Sequence, residues 1–442
     1  MRYAAALSYL DRIQGETGKL SLAGIRRLIA AAPFASSGVR YVQVAGTNGK
    51  GSTSHYVASI LQRSGLRVGL FTSPHLQEAR ERIRVNGRPI ARDAFARSVS
   101  VARALGERLV AERRIANLPT FFETLFLAAL HRFAEAGVSW AVLEVGLGGR
   151  LDATSTVRPE IAAVTNVAMD HMNILGRTLT AIAREKAAIA RRGVPLVSGC
   201  APRTAGARVV REFARRRHAP LVEAFAPPRR LETARSGAAY DCRYDTGAAA
   251  YRFRVTQRGR HQCRNAALAV AVVDELRQRR RLDIGADAVA AGIRTMAIPA
   301  RLEHFPGRPA VILDGGHNRP GVRALVDYLR EEGIRGFTLV FGALRDKQYP
   351  AMARLLAPLA ANVVLTEPRS PRALPPERLA RFFPGRRCRI ERDYGRALAV
   401  AKKFQRTIIV CGSLYLVGGM REILLGGRQD GRQKVPGDRR PL

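Results

Sequence analysis

The stretch YVQVAGTNGKGSTSHYV, residues 41–57, runs from apolar alternation through three glycines into a polar segment suited to a helix start. It is close to the phosphate loop G-x-x-x-x-G-K-[ST], in which the hydroxyl after the lysine helps to hold magnesium. Here Gly51 follows Lys50. The sequence therefore predicts an ATP site whose metal is held by another residue; the alternative is a glycine-rich turn without a ligand. The predicted ATP-binding residues of this loop are Gly46, Thr47, Asn48, Gly49, Lys50, Gly51 and Ser52.

Outward from the loop, apolar runs of strand length alternate with helical periods, a pattern typical of parallel α/β folds. The predicted strands are 39–45, 67–72, 140–145, 161–166 and 194–198, and the predicted helices are 52–63, 91–113, 120–136, 179–192 and 264–279. Residues 227–257 alternate with period two around a glycine turn, which predicts a hairpin added to this sheet.

A second alternation predicts a smaller α/β domain, with strands at 311–314, 337–341, 362–366 and 407–411. We therefore predict an ATP-binding P-loop domain over residues 1–297 and a second domain over residues 298–426. Residues 427–442 are polar, charged and rich in glycine, which predicts a disordered tail.

The composition is that of a folded and very basic chain, with 47% hydrophobic residues and a formal net charge of +38. Such a charge favours anionic partners such as nucleic acid, anionic membranes or acidic substrates. The arginines are spread along every segment without interleaved aromatic residues, which favours a solvated arginine-rich surface over a nucleic-acid site. The five cysteines form no C-x-x-C pair, and no apolar run has the length of a membrane span, so we expect free thiols and a cytoplasmic protein.

Sequence blocks spread over almost the whole chain resemble those of one family. They are GTNGKGS (46–52), TSPHL (72–76), TFFETLF (120–126), LEVGLGGRLDAT (143–154), TNVAMDH (165–171), EKAAI (185–189), GRHQCRNAALA (259–269), ARLEHF (300–305), LDGGHN (313–318), FGALRDK (341–347) and GSLYLVG (412–418). Together they resemble the folylpolyglutamate synthase/dihydrofolate synthase family of the Mur ligase superfamily. The resemblance implies a P-loop NTPase-like Mur ligase domain followed by a smaller Rossmann-like ligase domain.

The resemblance also implies a magnesium site in which Ser73 supplies the oxygen that position 51 lacks, together with Glu144 and His171. Glu144 ends an apolar run, as expected of a metal-binding carboxylate in a P-loop enzyme, and His171 is predicted to end another. The alternatives are that Glu144 pairs with Arg150 and that His171 is a capping or core residue. Lys50, Glu144, His171 and Lys186 are the predicted catalytic residues.

Lys186 lies in an alanine-rich segment, where a solvated lysine is the ordinary expectation. The chain has only seven lysines against sixty-seven arginines, so a lysine inside a motif is informative. The resemblance implies that Lys186 is carbamylated and helps to organise the metal and phosphates. Arginine has no neutral nucleophilic amine with which to do this.

Four residues of later blocks match family positions that contact ATP, and they are Asn265, Arg301, Asp314 and His317. The alternative for each is an ordinary structural hydrogen bond. Two departures from the family pattern occur here: Ala300 replaces a glycine, and Gly316 and Arg319 stand in the D-G-A-H-N-P block. We expect the first to stiffen its turn and the second to alter the joint between the domains.

The resemblance places the pterin-bearing substrate against two blocks, whose predicted substrate-binding residues are Thr120, Phe121, Phe122, Glu123, Asp152, Ala153 and Thr154. Phe121 and Phe122 suit stacking on a pterin or aminobenzoyl ring; the alternative is that they belong to an apolar core. The implied activity is ADP-forming ligation of L-glutamate to dihydropteroate, reduced folates or both, by a monomer that uses ATP and Mg²⁺.

Two other functions compete with this one. A Mur-type ligase acting on a UDP-sugar peptide predicts a domain-sized UDP-binding region before the phosphate loop, whereas 45 residues precede Gly46. A basic nucleic-acid-binding ATPase rests on charge alone and predicts clustered basic and aromatic residues. We therefore expect small-molecule substrates, with neither a membrane nor a nucleic acid as partner.

Overall fold

The computed structural model describes residues 1–14 and 21–426; the predicted tail, 427–442, lies outside the described residues. The chain divides into two compact units, each built on its own sheets. The first unit comprises Met1–Ala168, Arg177–Thr256 and Gln262–Met296, and the second comprises Met169–Gly176, Gln257–His261 and the chain from Ala297 onwards. Two short segments that precede residue 297 thus belong to the second unit.

The α-helices of the described residues are, in chain order, α1 (Tyr3–Ile13), α2 (Ala23–Ala31), α3 (Lys50–Arg63), α4 (Arg92–Ala111), α5 (Phe121–Glu135), α6 (Met172–Leu175), α7 (Leu179–Ala187), α8 (Ala205–Arg216), α9 (His261–Arg280), α10 (Ala286–Arg294), α11 (Arg319–Glu331), α12 (Tyr349–Leu356), α13 (Glu377–Ala380), α14 (Tyr394–Lys402) and α15 (Leu414–Leu424). Short 3-10 helices span Pro33–Ser36, Ala79–Arg82 and Ala153–Thr156. The prediction for 179–192 was too long, because α7 ends at Ala187.

The first unit is built on an eight-stranded sheet whose strands are β1 (Arg40–Ala45), β2 (Val68–Phe71), β3 (Ile83–Val85), β4 (Arg88–Pro89), β5 (Trp140–Glu144), β6 (Ile161–Val164), β7 (Leu196–Ser198) and β8 (Leu221–Glu223). Their order is β4-β3-β2-β5-β1-β6-β7-β8. Six neighbouring strands of this sheet are parallel, namely β2, β5, β1, β6, β7 and β8. Strands β3 and β4 at one edge run antiparallel to their neighbours. The predicted parallel α/β class is confirmed.

Helices cover both faces of this sheet. One apolar core contains residues of α3, α9 and α10, and the other contains residues of α1, α2, α4 and α5. Strand β1 lies in the middle of the parallel part, with β5 and β6 as its neighbours. Because parallel strands end at the same edge of a sheet, the segments that follow β1, β2, β5 and β6 lie together.

The prediction that residues 227–257 form a hairpin added to the large sheet was wrong. Its residues form a separate antiparallel sheet of three strands, β9 (Arg230–Ser236), β10 (Ala239–Asp245) and β11 (Ala250–Val255). Tyr240, Cys242 and Tyr244 of β10 are buried, because one face packs into the apolar core. Burial of this face stabilises the sheet without strand pairing to the large sheet.

The second unit contains a six-stranded sheet in the order β12-β13-β17-β14-β15-β16. The strands are β12 (Glu303–Phe305), β13 (Val311–Leu313), β14 (Phe337–Phe341), β15 (Ala360–Leu365), β16 (Arg387–Ile390) and β17 (Ile408–Cys411). All are parallel except β12, which pairs antiparallel with β13. The four predicted strands are confirmed, whereas β12 and β16 were missed.

The five cysteines are free thiols, as predicted. Among residues 1–14 and 21–426, no helix is both long enough and apolar enough to cross a membrane.

Candidate active site

The phosphate loop connects the end of β1 to the start of α3. Gly46 and Gly49 have φ values of 144° and 81°, in the region that favours glycine. A Cβ atom at Gly46 would lie 1.8 Å from Thr165 Oγ1, and one at Gly49 would lie 2.4 Å from Asn265 Oδ1. The loop thus requires glycine at both positions, and its N-terminal helix turn presents backbone N–H groups suited to phosphate.

The segment after β6 holds the loop in shape. Thr47 N donates to Asn166 O at 3.0 Å, and Asn48 N donates to Asn166 Oδ1 at 3.1 Å. In return, Thr165 Oγ1 and Asn166 Nδ2 donate to Asn48 O at 2.7 and 2.8 Å. The backbone of the loop is therefore rigid on the side that faces β6.

Lys50 is the first residue of α3, and its Nζ donates to Thr47 O at 3.2 Å, which holds the ammonium group over the loop. Gly51 lies beside a carboxylate, because a Cβ atom there would be 3.4 Å from Glu144 Oε2. The residue after the lysine therefore faces Glu144. Ser52 is buried at the start of the helix.

Glu144 ends β5 and is 5% exposed. Its Oε2 accepts a hydrogen bond of 3.0 Å from Ser73 N, two residues beyond the end of β2. The structure thus brings Ser73 and Glu144 together at the edge where the loop lies. The alternative pairing of Glu144 with Arg150 is not found, because Arg150 pairs with Glu185 at 2.8 Å.

His171 does not end a strand, contrary to the prediction. Strand β6 stops at Val164, and residues 165–168 bind the loop instead of extending the sheet. His171 has a left-handed φ of 49° at the N-terminus of α6, and it belongs to the second unit. In the described parts of the chain, no group of three or more His, Cys, Asp and Glu side chains is arranged to hold a metal.

A buried polar cluster surrounds Asp170 within the second unit. Asp170 Oδ1 lies 2.6 Å from Lys347 Nζ, and Oδ2 accepts a hydrogen bond of 2.8 Å from Asn318 Nδ2. His317 Nε2 lies 3.7 Å from Oδ2, and Lys347 Nζ lies 3.3 Å from His171 Nε2. Asp170 and Lys347 link two predicted site residues, His317 and His171. Neither Asp170 nor Lys347 was predicted from the sequence to be a site residue.

Burial and neighbouring charges shift the pKa values of Asp170 and His317. Burial opposes ionisation of Asp170, but Lys347, His317 and His171 outweigh it and hold the pKa of this carboxyl well below its usual range. Burial, followed by the charge of Lys347, lowers the pKa of His317 to about 4. Near neutral pH, Asp170 is therefore anionic and His317 neutral. Lysine is scarce in this chain, and Lys347, like Lys186, lies inside a family motif. The scarcity that makes Lys186 informative could therefore also have indicated Lys347.

Lys186 is 4% exposed, so it is not the solvated lysine that its alanine-rich helix suggests. Its Nζ donates to Gly46 O at 2.9 Å, across 140 residues of sequence. The amine thus lies against the first glycine of the phosphate loop.

The predicted substrate residues 120–123 begin α5. Thr120 and Glu123 form a reciprocal capping box, in which Glu123 Oε2 accepts from Thr120 N at 2.9 Å. Phe122 packs edge-on against Phe71, and Phe121 lies under the guanidinium of Arg82 at 5.1 Å. Both phenylalanines are partly buried and pack against the apolar core of the first unit.

Asp152 forms the N-cap of a short 3-10 helix beyond β5 and accepts hydrogen bonds from Leu147 N and Thr154 N at 2.9 and 3.0 Å. Burial raises the pKa of Asp152, and these hydrogen bonds oppose the rise. Ala153 and Thr154 are also buried. These residues form a rigid support beside Phe122, whose ring lies 2.6 Å from the Cβ position of Gly146.

The predicted ATP contacts of the later blocks fall in both units. Asn265 in the first unit lies against Gly49 of the loop. In the second unit, Asp314 accepts hydrogen bonds from Leu302 N and Gly316 N at 3.1 and 2.9 Å. Burial raises the pKa of Asp314, and Arg301 opposes the rise. Asp314 therefore anchors the turn that contains Arg301.

Two models of ligase domains match the parts of the chain that contain these residues. Residues 44–273 match the Mur ligase middle domain, and residues 300–414 match the glutamate ligase domain of Mur ligases. The matched regions contain the phosphate loop in the first case and Asp314 in the second.

Three relatives carry related names. The chain is 36% identical, over 95% of its length, to a protein of Haloferax volcanii named probable bifunctional folylpolyglutamate synthase/dihydropteroate synthase, and spans 50% of that protein. It is 34% identical to folylpolyglutamate synthase of Lacticaseibacillus casei, covering 88% of this chain and 91% of the relative. It is also 34% identical to dihydrofolate synthase/folylpolyglutamate synthase of Bacillus subtilis, covering 80% and 83%.

A solved structure has the same architecture. Mycobacterium tuberculosis folylpolyglutamate synthase, complexed with ADP and AMPPCP, superposes with a TM-score of 0.86 at 29% identity, covering 97% of this chain and 99% of that one.

Proposed function

Because the chain belongs to the folylpolyglutamate synthase/dihydrofolate synthase family of Mur ligases and is an ADP-forming ligase, we propose that it joins L-glutamate to dihydropteroate, to reduced folates, or to both. The observation that carries the proposal is the geometry around Gly51. The loop lacks a hydroxyl after Lys50, and the carboxylate of Glu144 lies beside that position, next to Ser73.

The chemistry begins with activation of a carboxylate. A free carboxylate is a poor electrophile, so one of its oxygens attacks the γ-phosphorus of ATP, ADP leaves, and an acyl phosphate forms. The amine of L-glutamate then attacks the acyl carbon, and inorganic phosphate leaves as the amide forms. Lys50 and the N–H groups at the start of α3 bind the phosphate oxygens, a role that their position at the loop supports.

The donor set at the sheet edge fits magnesium. Mg²⁺ prefers oxygen and is commonly held by one or two protein groups together with phosphates and waters. The carboxylate of Glu144 and the hydroxyl of Ser73 would hold it, with His171 as the third proposed ligand. When bound, the ion neutralises charge on the transferred phosphoryl group.

Two further roles are proposed for other predicted site residues. Carbamylation would convert the amine of Lys186 into an anion beside Gly46, and its contact with Gly46 O supports a role next to the phosphates. Asn265, Arg301, Asp314 and His317 are proposed ATP contacts. The position of Asn265 against Gly49 supports the first of these.

The substrate is proposed to lie against Phe121 and Phe122, with residues 152–154 as its support. The rings are partly exposed at the rim of the core, which suits stacking on a flat heterocycle.

The test is ADP release by the purified protein with MgATP and L-glutamate, comparing dihydropteroate with tetrahydrofolate, with products identified by mass spectrometry. Turnover with one acceptor assigns one activity, and turnover with both assigns two. Absence of a glutamate-containing product with either acceptor would overturn the proposal.

A further inference from the structure

Four arginines form a cluster in the first unit, on the opposite side of the large sheet from the phosphate loop. Arg158, Arg191 and Arg217 precede β6, β7 and β8 by three to five residues, and Arg26 lies on α2. Because these strands are parallel to β1, the segments before them lie at the amino-terminal edge, whereas the loop follows the carboxyl end of β1. We call these four residues the basal arginine cluster.

Backbone contacts bring the segments together. Gly193 N donates to His218 O at 3.0 Å, which joins the segment before β7 to the one before β8. Arg158 Nη2 donates to Arg192 O at 2.8 Å, and Arg191 Nη2 donates to Ser155 O. Helix α2 packs on the 3-10 helix that contains Ser155. The segments that carry the four arginines are therefore neighbours, and the charges of Arg26, Arg158 and Arg217 each act on Arg191.

No acid balances this charge among the described residues. The carboxylates that lie close to these arginines in the sequence are engaged elsewhere: Glu160 with Arg280, and Glu212 with Arg216. Arg26, Arg158 and Arg217 are exposed and Arg191 is half-buried. Burial, and then the three other arginines, lowers the pKa of Arg191. Like charges held together without a counter-ion destabilise the fold, so the cluster has a physical reason to bind an anion.

The donor chemistry selects the kind of anion. Each guanidinium has five N–H donors in a planar fork that matches phosphate oxygens, and Arg158 and Arg191 each use one of them on a backbone carbonyl. Three exposed positive charges near one half-buried guanidinium suit a compact anion with several charges better than an extended chain. We propose that the basal arginine cluster is a binding site for an oligophosphate, separate from the phosphate loop.

The experiment uses the full chain and sodium tripolyphosphate as probe, titrated by calorimetry with and without saturating MgADP, so that binding at the phosphate loop is separated. The double variant Arg26→Gln/Arg217→Gln removes two exposed cluster charges. The matched control, Arg387→Gln/Arg389→Gln, removes two exposed charges from β16 in the second unit.

The wild type is expected to bind tripolyphosphate in a component that MgADP does not displace. The cluster variant should weaken that component at least about tenfold, and the control less than about twofold. Equal affinity in all three folded proteins, or no such component in the wild type, would overturn the proposal. Thermal melts confirm that the variants are folded.

A ten-nucleotide single-stranded RNA distinguishes the source of the phosphates. We expect the RNA to compete less strongly than tripolyphosphate when the two are compared at equal phosphate concentration. Stronger competition would identify a nucleic-acid backbone as the ligand and would overturn the assignment to a compact oligophosphate.

Discussion

At the scale of single residues, three glycines determine what the phosphate loop can hold. Gly46 and Gly49 are required by backbone conformation and by the atoms that a Cβ would meet. Gly51 differs, because its Cβ position is in ordinary contact with Glu144 at 3.4 Å. A side chain there would take up space beside the carboxylate, which agrees with the proposal that Ser73, and not residue 51, supplies the hydroxyl for magnesium.

Gly46→Ala tests the close approach of the loop to Thr165. We expect loss of measurable nucleotide binding and a lower free energy of unfolding, because the methyl group would lie 1.8 Å from Thr165 Oγ1. Gly65→Ala is the matched control: its φ is 82°, but nothing lies within 4 Å of its Cβ position, so only the cost of a left-handed residue applies, about 1–2 kcal/mol. Calorimetric titration with MgADP and chemical denaturation measure both effects. Equal behaviour of the two variants would contradict the steric argument.

Glu144→Gln tests the proposed metal ligand. The amide oxygen still accepts from Ser73 N, so we expect the melting temperature to change little. Turnover should fall at least about a hundredfold, because a neutral amide would hold magnesium, the ion that stabilises the transferred phosphoryl group, much more weakly than a carboxylate. Glu223→Gln is the control, since Glu223 also ends a strand of the same sheet. ADP release is measured over a range of magnesium concentrations, and more than half of wild-type turnover in Glu144→Gln would exclude the role.

At the scale of elements, the cluster around Asp170 ties three parts of the second unit together. Asp170 lies in the loop before α6, Asn318 caps the N-terminus of α11, and Lys347 follows β14. A buried ion pair with both side chains about 5% exposed is stable only while both partners are present. The cluster therefore fixes the position of His171 and His317.

Lys347→Met tests this dependence. The substitution leaves the Asp170 carboxylate buried without its ammonium partner, so we expect the free energy of unfolding to fall by about 3–5 kcal/mol. Lys402→Met removes an exposed lysine from α14 and should change it by less than about 0.5 kcal/mol. Urea denaturation compares the variants. A similar small effect in both would show that the pair contributes nothing to the fold.

The elements also show what the sequence can predict. Strands β1, β5 and β14 are largely apolar runs of five or six residues bounded by turn signals, so their pattern suffices. Strands β3 and β4 have three and two residues, too few for a period, and were missed. Residues 165–168 look like an extension of β6, but their polar groups bind the phosphate loop, a long-range contact that no local pattern contains.

Some residues of the candidate site could likewise be predicted from the sequence, and others could not. The loop follows from its motif, whereas Ser73 and Glu144 were selected by the resemblance to the family; their proximity then follows because parallel strands bring their carboxyl ends together. Asp170 and Lys347 are 177 residues apart and acquire their meaning only from burial as a pair. Ala300 adopts a φ of 57°, which agrees with its replacing a glycine and identifies that turn as a strained one.

At the scale of the whole molecule, the chain combines a P-loop unit with a second α/β unit and has a net charge of +38. The proposed site chemistry would use little of that charge: one lysine of the loop and a few groups of the second unit. The basal arginine cluster offers a specific use for part of the remainder. The proposed reaction itself is ligation through an acyl phosphate.

The most direct test follows an oxygen atom. The acceptor found in the substrate comparison is prepared with ¹⁸O in the carboxyl group that receives glutamate and is incubated with MgATP, L-glutamate and the protein. The account predicts one ¹⁸O atom in each inorganic phosphate released, because the attacking oxygen stays with phosphorus when the amide forms. Released phosphate without ¹⁸O, or ¹⁸O recovered in AMP, would contradict it.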